Sequence, residues 1–237
     1  MKRMTQLICF VFALSISLQA RPSTPPNRAD SDEVERIQNS LAVLHDLTAT
    51  PDKAIPRGLL KSAEAIVVIP SLVKGGFVVG AKHGRGVMSV RQAESRAWSE
   101  PAFVTMTGGS IGWQIGVESV DLVLLVMNRG GIDDLLADKF TLGGAASVAA
   151  GPVGRTFDAA TDAKLSSQIL AYSRTNGLFA GATLEGASLR SDKDSNRAFY
   201  GRPLTIAEIT SSRDLRPNDS SVAGRWSETL GTMADNR

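Results

Sequence analysis

Cysteine is almost absent from these 237 residues: Cys9 stands alone, and histidine occurs only at His45 and His83. Cys9 lies inside an apolar run from Leu7 to Leu18 that follows Lys2 and Arg3 and precedes Ala20, Arg21 and Pro22. Roughly twelve apolar residues are too few to cross a bilayer, and the charged, apolar and small-residue order is that of a secretory signal, with a retained membrane anchor as the alternative. Cleavage is expected near Ala20, leaving an exported, periplasmic or extracellular protein. Such a chain has no thiol, which excludes disulfides, cysteine-ligated zinc and a cysteine nucleophile. Two isolated histidines make no metal site without carboxylate help. His45 reads as a packed or surface residue, and His83 sits among cations that disfavour its protonated form. An excess of one charge is lacking too. Lysine and arginine total 26 against 24 acids, and loss of Lys2 and Arg3 makes the counts equal, so no broad nucleic-acid footprint is supported.

Glycine, in contrast, is concentrated. Residues 75–186 hold 18 of the 22 glycines, around the apolar stretch Phe103–Met127, and apolar residues broken by glycine read as strands that approach one another closely. Before that block, residues 21–29 form a Pro-rich linker. Asp30 and Glu33 form a capping-box pattern, and Val34, Ile37, Leu41, Leu44 and Leu47 recur at helical spacing to about Thr50. Pro56 suits the first turn of a short helix with Leu59, Leu60 and Ala63 on one face. Ala65–Ile69 reads as a short buried strand stopped by Pro70. Strands are expected at Gly86–Arg91, Val120–Met127, Gln168–Arg174 and Leu178–Leu189. Helices are expected at Ile132–Ala137, within 192–212, and from Asp219 to Leu230.

Neutrality hides two opposed segments. Residues 74–97 carry Lys74, Lys82, Arg85, Arg91 and Arg96 against Glu94, a net +4, whereas residues 118–138 carry five acids against Arg129, a net −4. Either is a binding surface or a solvated face. For catalysis, Gly108-Gly109-Ser110-Ile111-Gly112 fits the G-x-S-x-G nucleophile elbow, which needs a strand, a sharp turn and a helix with the histidine later in the chain. Both histidines precede Ser110, and the alternating apolar run after it favours a strand. Ser110 therefore reads as a turn residue, and a serine hydrolase is the remote alternative. No G-x-G-x-x-G or phosphate-cradling G-x-x-x-x-G-K-[ST] pattern supports a nucleotide site.

In order along the chain stand Pro70, Gly76 and Gly80, Gly84-x-Gly86-Val87, Trp98-Ser99-x-Pro101, Gly112-x-Gln114-x-Gly116, Leu142-Gly143 and the run Val148-Ala149-Ala150-Gly151-Pro152-Val153-Gly154-Arg155. Tyr172-Ser173, Gly177-Leu178-Phe179-Ala180-Gly181, Leu184-Glu185-Gly186 and Phe199-Tyr200-Gly201 complete the series. The series, over about residues 34–201, resembles the SYLF domain, also described as an actin-binding domain of yeast endocytic proteins. The resemblance implies phosphoinositide-membrane binding in eukaryotic members, actin filaments in fungal ones and export in bacterial ones. Animal members are associated with a basic amphipathic N-terminal helix, whereas the matching helix here begins Asp30-Ser31-Asp32-Glu33. Attention therefore moves to Arg57, Lys61, Lys74, Lys82, Arg85, Arg91 and Arg96 as lipid-contacting residues.

These observations combine into one expectation: a signal at 1–20, a linker at 21–29, a single α+β domain at 30–212, and a polar tail at 213–237. The domain is expected to have mainly antiparallel short strands, with helices at its N-terminal end and periphery. The expected function is non-enzymatic binding of anionic lipid or a membrane surface, without cofactor or metal. A structural or protein-interaction module of the cell envelope is the alternative.

Overall fold

The computed structural model describes residues 28–49, 55–136, 139–144, 147–153, 167–175, 178–182, 184, 186–212 and 214–235; the signal at 1–20 and most of the linker lie outside them. Helix α1 (Arg28–Ala49) carries the expected stripe, with Ile37, Leu44 and Leu47 buried. It begins earlier than the capping box implied. Asp30 lies inside the helix, and the Glu33 side chain is buried beside Arg36, so the pattern is not used as a cap. Helix α2 (Arg57–Ser62) starts directly after Pro56, whose fixed φ of −55° suits a helix start, and it buries Leu59 and Leu60.

The sheet departs most from the sequence reading. Pro70 does not stop a strand; β1 runs from Ala65 to Val90 and pairs antiparallel with β2 (Ala102–Val126) over nearly its whole length. The reason is a bulge. Register slips between Ile69 and Leu72, Ser71 takes a φ of 58°, and its amide donates to Asp121 Oδ1 at 3.0 Å, so Pro70 sits where the ladder needs no donor. The expected strands at Gly86–Arg91 and Val120–Met127 are thus ends of long strands. Ser110, expected at a turn, pairs with Gly80 in mid-strand. A second register irregularity lies between Gly76 and Val78, opposite 112–116.

The paired ribbon curls until β1 meets itself. A Cβ at Gly84 would come 2.6 Å from Ile69 Cγ2 and 3.2 Å from Leu72 Cα, and one at Gly86 would overlap the Val68 carbonyl oxygen. Glycine is required where the two halves of one strand cross. Where the ends meet, the Arg91 amide donates to the Glu64 carbonyl and the Glu64 amide to that of Val126, each at 2.7 Å.

Shorter strands extend β2 on its other edge. Residues 121–126 pair with β5 (Ile169–Thr175), and residues 104–107 with β7 (Ser188–Ser191). Beyond these lie β3 (Lys139–Thr141) on β7, β6 (Leu178–Gly181) antiparallel to β5, and β4 (Val148–Ala150) parallel to it. The small-residue motifs serve this corner: a Cβ on Gly151 would overlap the ring of Tyr172, which is fully buried.

Helix α3 (Arg129–Leu136) follows β2, and α4 (Lys193–Tyr200) and α5 (Ile206–Ser211) follow β7. Phe199 of α4 meets the Phe103 ring edge-on at 5.2 Å, while buried Asn196 accepts the Phe103 amide at 2.9 Å and donates to Leu204 O at 2.9 Å. Helix α6 (Ser220–Asp235), in the stretch read as a polar tail, joins the same core: Trp226 is 0 % exposed and donates through Nε1 to Ser89 Oγ at 2.7 Å. The fold is therefore a single α+β domain around a curled mixed sheet, with helices at the N-terminal end and periphery, and its strands are both long and short.

Candidate functional site

The seven basic residues singled out in the sequence are scattered by the curl. Arg91 is 6 % exposed: Nε donates to Ala63 O at 2.9 Å, and the guanidinium stacks 4.5 Å over the Trp98 ring. It holds the closure of the sheet and is not available at the surface, because the strand end that carries it is the end that meets Glu64. Arg96 is exposed but committed, with Nη1 2.6 Å from Glu64 Oε1; Arg129 holds the other carboxylate oxygen at 3.1 Å. Arg85 is exposed near Arg36 and Asp192 and acts on both electrostatically.

Lys74 and Lys82 remain together. They flank the second register irregularity, and partial burial followed by repulsion from Lys74 lowers the Lys82 pKa. Among the described residues, 108–120 of β2 pair only with β1, so this part of the ribbon is two-stranded. Two large apolar side chains are exposed there, Val73 at 44 % and Val117 at 79 %. Val73 pairs with Ser119 and Val117 with Gly75, which places both valines on one ribbon face; Lys74, opposite Glu118, lies on the other. The sequence reading found the lysines by charge but missed the valines, because nothing local distinguishes an unpartnered valine from a core one.

Arg57 and Lys61 occupy a different place, exposed on α2. Arg57 borders a groove between α1, α2 and α6 that Arg225 also lines.

A buried polar cluster lies beneath α1 and is structural. Arg36 donates through Nη1 to Asp192 Oδ2 and Ser195 Oγ, each at 3.1 Å, and its guanidinium lies 5.2 Å over the Phe103 ring. Burial pushes the Glu33 pKa up. Burial would also raise Asp192, but the Ser195 amide and hydroxyl and the Arg36 charge outweigh it and hold that carboxyl low. Asp192 also caps α4 through the Ser195 amide, so the cluster ties three elements together.

A family model described as "Las17-binding protein actin regulator", Ysc84, matches residues 107–226. The chain belongs to the Ysc84 family. LAS seventeen-binding protein 3 of Saccharomyces cerevisiae is 35 % identical over 169 residues, which are 70 % of this chain and 36 % of the yeast protein. Protein YSC84 of the same yeast is 36 % identical over 165 residues, covering 68 % of this chain and 35 % of its own length. The human SH3 domain-containing YSC84-like protein 1 is 33 % identical over 168 residues, 70 % of this chain and 48 % of the human one. The chain thus spans about a third to a half of these relatives. The SYLF resemblance read from the motifs is this family. Family members are described as actin regulators and Las17-binding proteins, which points to protein-partner roles within the family.

Proposed function

We propose that this Ysc84-family domain is a binding module, not an enzyme, and that it docks on anionic membrane surfaces through the bent part of the β1–β2 ribbon. The observation that carries the reading is the coincidence of Val73 and Val117, exposed and apolar, with Lys74 and Lys82 on a two-stranded segment that no other described strand covers. Valines on one face and a lysine on the other suit a bilayer interface. Apolar side chains enter the acyl boundary there while lysine stems snorkel towards phosphates. Each cation near an anionic surface contributes about 1 kcal/mol, screened over roughly 10 Å at 0.1 M salt, so binding would be weak, reversible and salt-sensitive.

Vesicle co-sedimentation tests this. Neutral phosphatidylcholine vesicles should bind little and vesicles with phosphatidylserine more, with loss in high salt and in Lys74→Gln/Lys82→Gln. Equal binding to both vesicles, or an unaffected double variant, would reject the ribbon. The second reading is a protein partner such as the actin machinery named for the relatives. It is favoured by the edge of β1 between its two crossing halves, which pairs with no described strand and whose backbone groups can receive one. Filament co-pelleting without lipid, lost on substitution along that edge, would support it. We also propose that the protein acts outside the cytoplasm, from the layout of residues 1–20; an intact Met1 on mature protein from its host would refute that.

A further inference from the structure

A groove of about 570 Å³ lies between α1, α2 and α6, and its lining includes none of the ribbon residues. Leu41, Leu60 and Met233 supply an apolar lining, and Arg57 and Arg225 stand at it, with Glu228 and His45 as the other ionisable groups. This volume lies within the roughly 300–1,000 Å³ of small-ligand sites. Arg57 and Arg225 against Glu228 give the lining two positive charges to one negative, a balance that favours an anion. Among the described residues neither arginine forms an ion pair, although the Arg225 charge helps hold the Asp219 carboxyl low. The guanidinium fork binds carboxylate or phosphate in a bidentate manner that a lysine does not match.

We propose that this groove binds one single-chain amphiphile with an anionic headgroup, its alkyl chain against Leu41, Leu60 and Met233 and its head on Arg57 and Arg225. The site differs from a membrane-docking surface in taking a single molecule out of water, and it does not rest on the ribbon reading. Charge decides the occupant, since the two arginines outnumber Glu228 in the lining and an anionic head supplies acceptors that an uncharged partner lacks. His45, at the rim, is 81 % exposed on its side chain and lies 3.6 Å from Asp46 Oδ1.

The test is calorimetric titration of the full chain with dodecyl phosphate below its micelle concentration, beside dodecyl maltoside and inorganic phosphate. Dodecyl phosphate should saturate at one per chain, with the uncharged detergent and the headgroup alone each about tenfold weaker or more. Arg57→Ala/Arg225→Ala should remove the preference for dodecyl phosphate, and Met233→Trp should block binding by filling the groove. Both arginines are exposed, so the double variant should keep its fold, which thermal melting checks independently of Met233→Trp. Lys74→Gln/Lys82→Gln should leave the titration unchanged while weakening vesicle binding, which separates failure of this site from failure of the ribbon. Equal affinity for the two detergents, no saturation, or an unaffected arginine pair would overturn the proposal. A groove that instead mediates self-association, seen as a concentration-dependent sedimentation coefficient abolished by Met233→Trp, would also overturn it.

Discussion

The closure of β1 and its bend draw on the same residue types, glycine with lysine or arginine, and use them oppositely. At the closure, Gly84 and Gly86 let the strand cross itself, Arg91 is buried under Trp98, and Arg96 is spent on Glu64. At the bend, no atom lies within 4 Å of a Cβ built on Gly109, Lys74 and Lys82 keep one another's company, and Val73 and Val117 face solvent. A basic run in sequence is therefore not a basic patch in space. What separates the two regions is whether a second layer of chain lies across the strand.

The largest effect should come from closing the space at the crossing. A Val at Gly86 collides with the Val68 carbonyl, which cannot withdraw without breaking the ladder, so Gly86→Val should cost about 3 kcal/mol or more. Gly109→Ala, with open space around it, should change stability by less than about 0.5 kcal/mol. Urea denaturation of both variants checks the pair, and comparable losses would remove the distinction between closure and bend.

Next in size is the polar cluster that fastens α1 over the closed layers. Asp192→Asn keeps a capping side chain but leaves Arg36 with only Glu33 as a counter-charge, and should cost on the order of 2 to 3 kcal/mol near neutral pH. The sign with pH follows from the directions of shift. Asp192 is held below its unfolded value, so its contribution is present above about pH 4 and is lost as pH falls through the lower folded value. Glu33 is raised and acts oppositely, costing stability above its folded value and releasing that cost on protonation. Asp192→Asn should therefore flatten the acid limb of a stability profile, and Glu33→Gln should flatten the slope just above the ordinary glutamate range.

A smaller loss should follow Arg91→Ala, about 1 to 3 kcal/mol from the Ala63 hydrogen bond and the Trp98 stack, whereas Arg85→Ala, exposed on the strand that Arg91 directly follows, should stay within about 0.5 kcal/mol. Thermal melting compares the two directly.

These contrasts mark where the sequence could be read and where it could not. The α1 stripe, the strand at 169–175, the helices after residue 192 and the family motifs were legible because each depends on local periodicity or turn chemistry. Pro70 misled because a proline at a bulge and a proline that ends a strand are the same residue, and only the register at Asp121 separates them. Ser110 misled likewise, its glycines lying in a paired strand and not at a turn. The scatter of the seven cations depends on a curl that brings residue 64 to residue 91, a long-range event without local signature. The groove was half legible: Arg57 was named, but Arg225 lay in a stretch read as a tail.

The smallest effect on stability should belong to the bend itself, and there the comparison is sharpest. Val117 is 79 % exposed and Val73 44 %, so Val117→Asp removes little burial and should shift the unfolding free energy by no more than about 0.5 kcal/mol. If the bend docks on bilayers, the same substitution places a carboxylate where an apolar side chain enters the acyl boundary and beside headgroups that repel it. Co-sedimentation with phosphatidylserine vesicles should then fall at low salt, in protein whose melting is unchanged. Arg96→Gln provides the matched control: it removes a cation from the same basic segment, but one already held by Glu64, and should leave vesicle binding as it was. Loss of binding in Arg96→Gln with none in Val117→Asp would reverse the assignment, making the closure the functional face and the bend its scaffold.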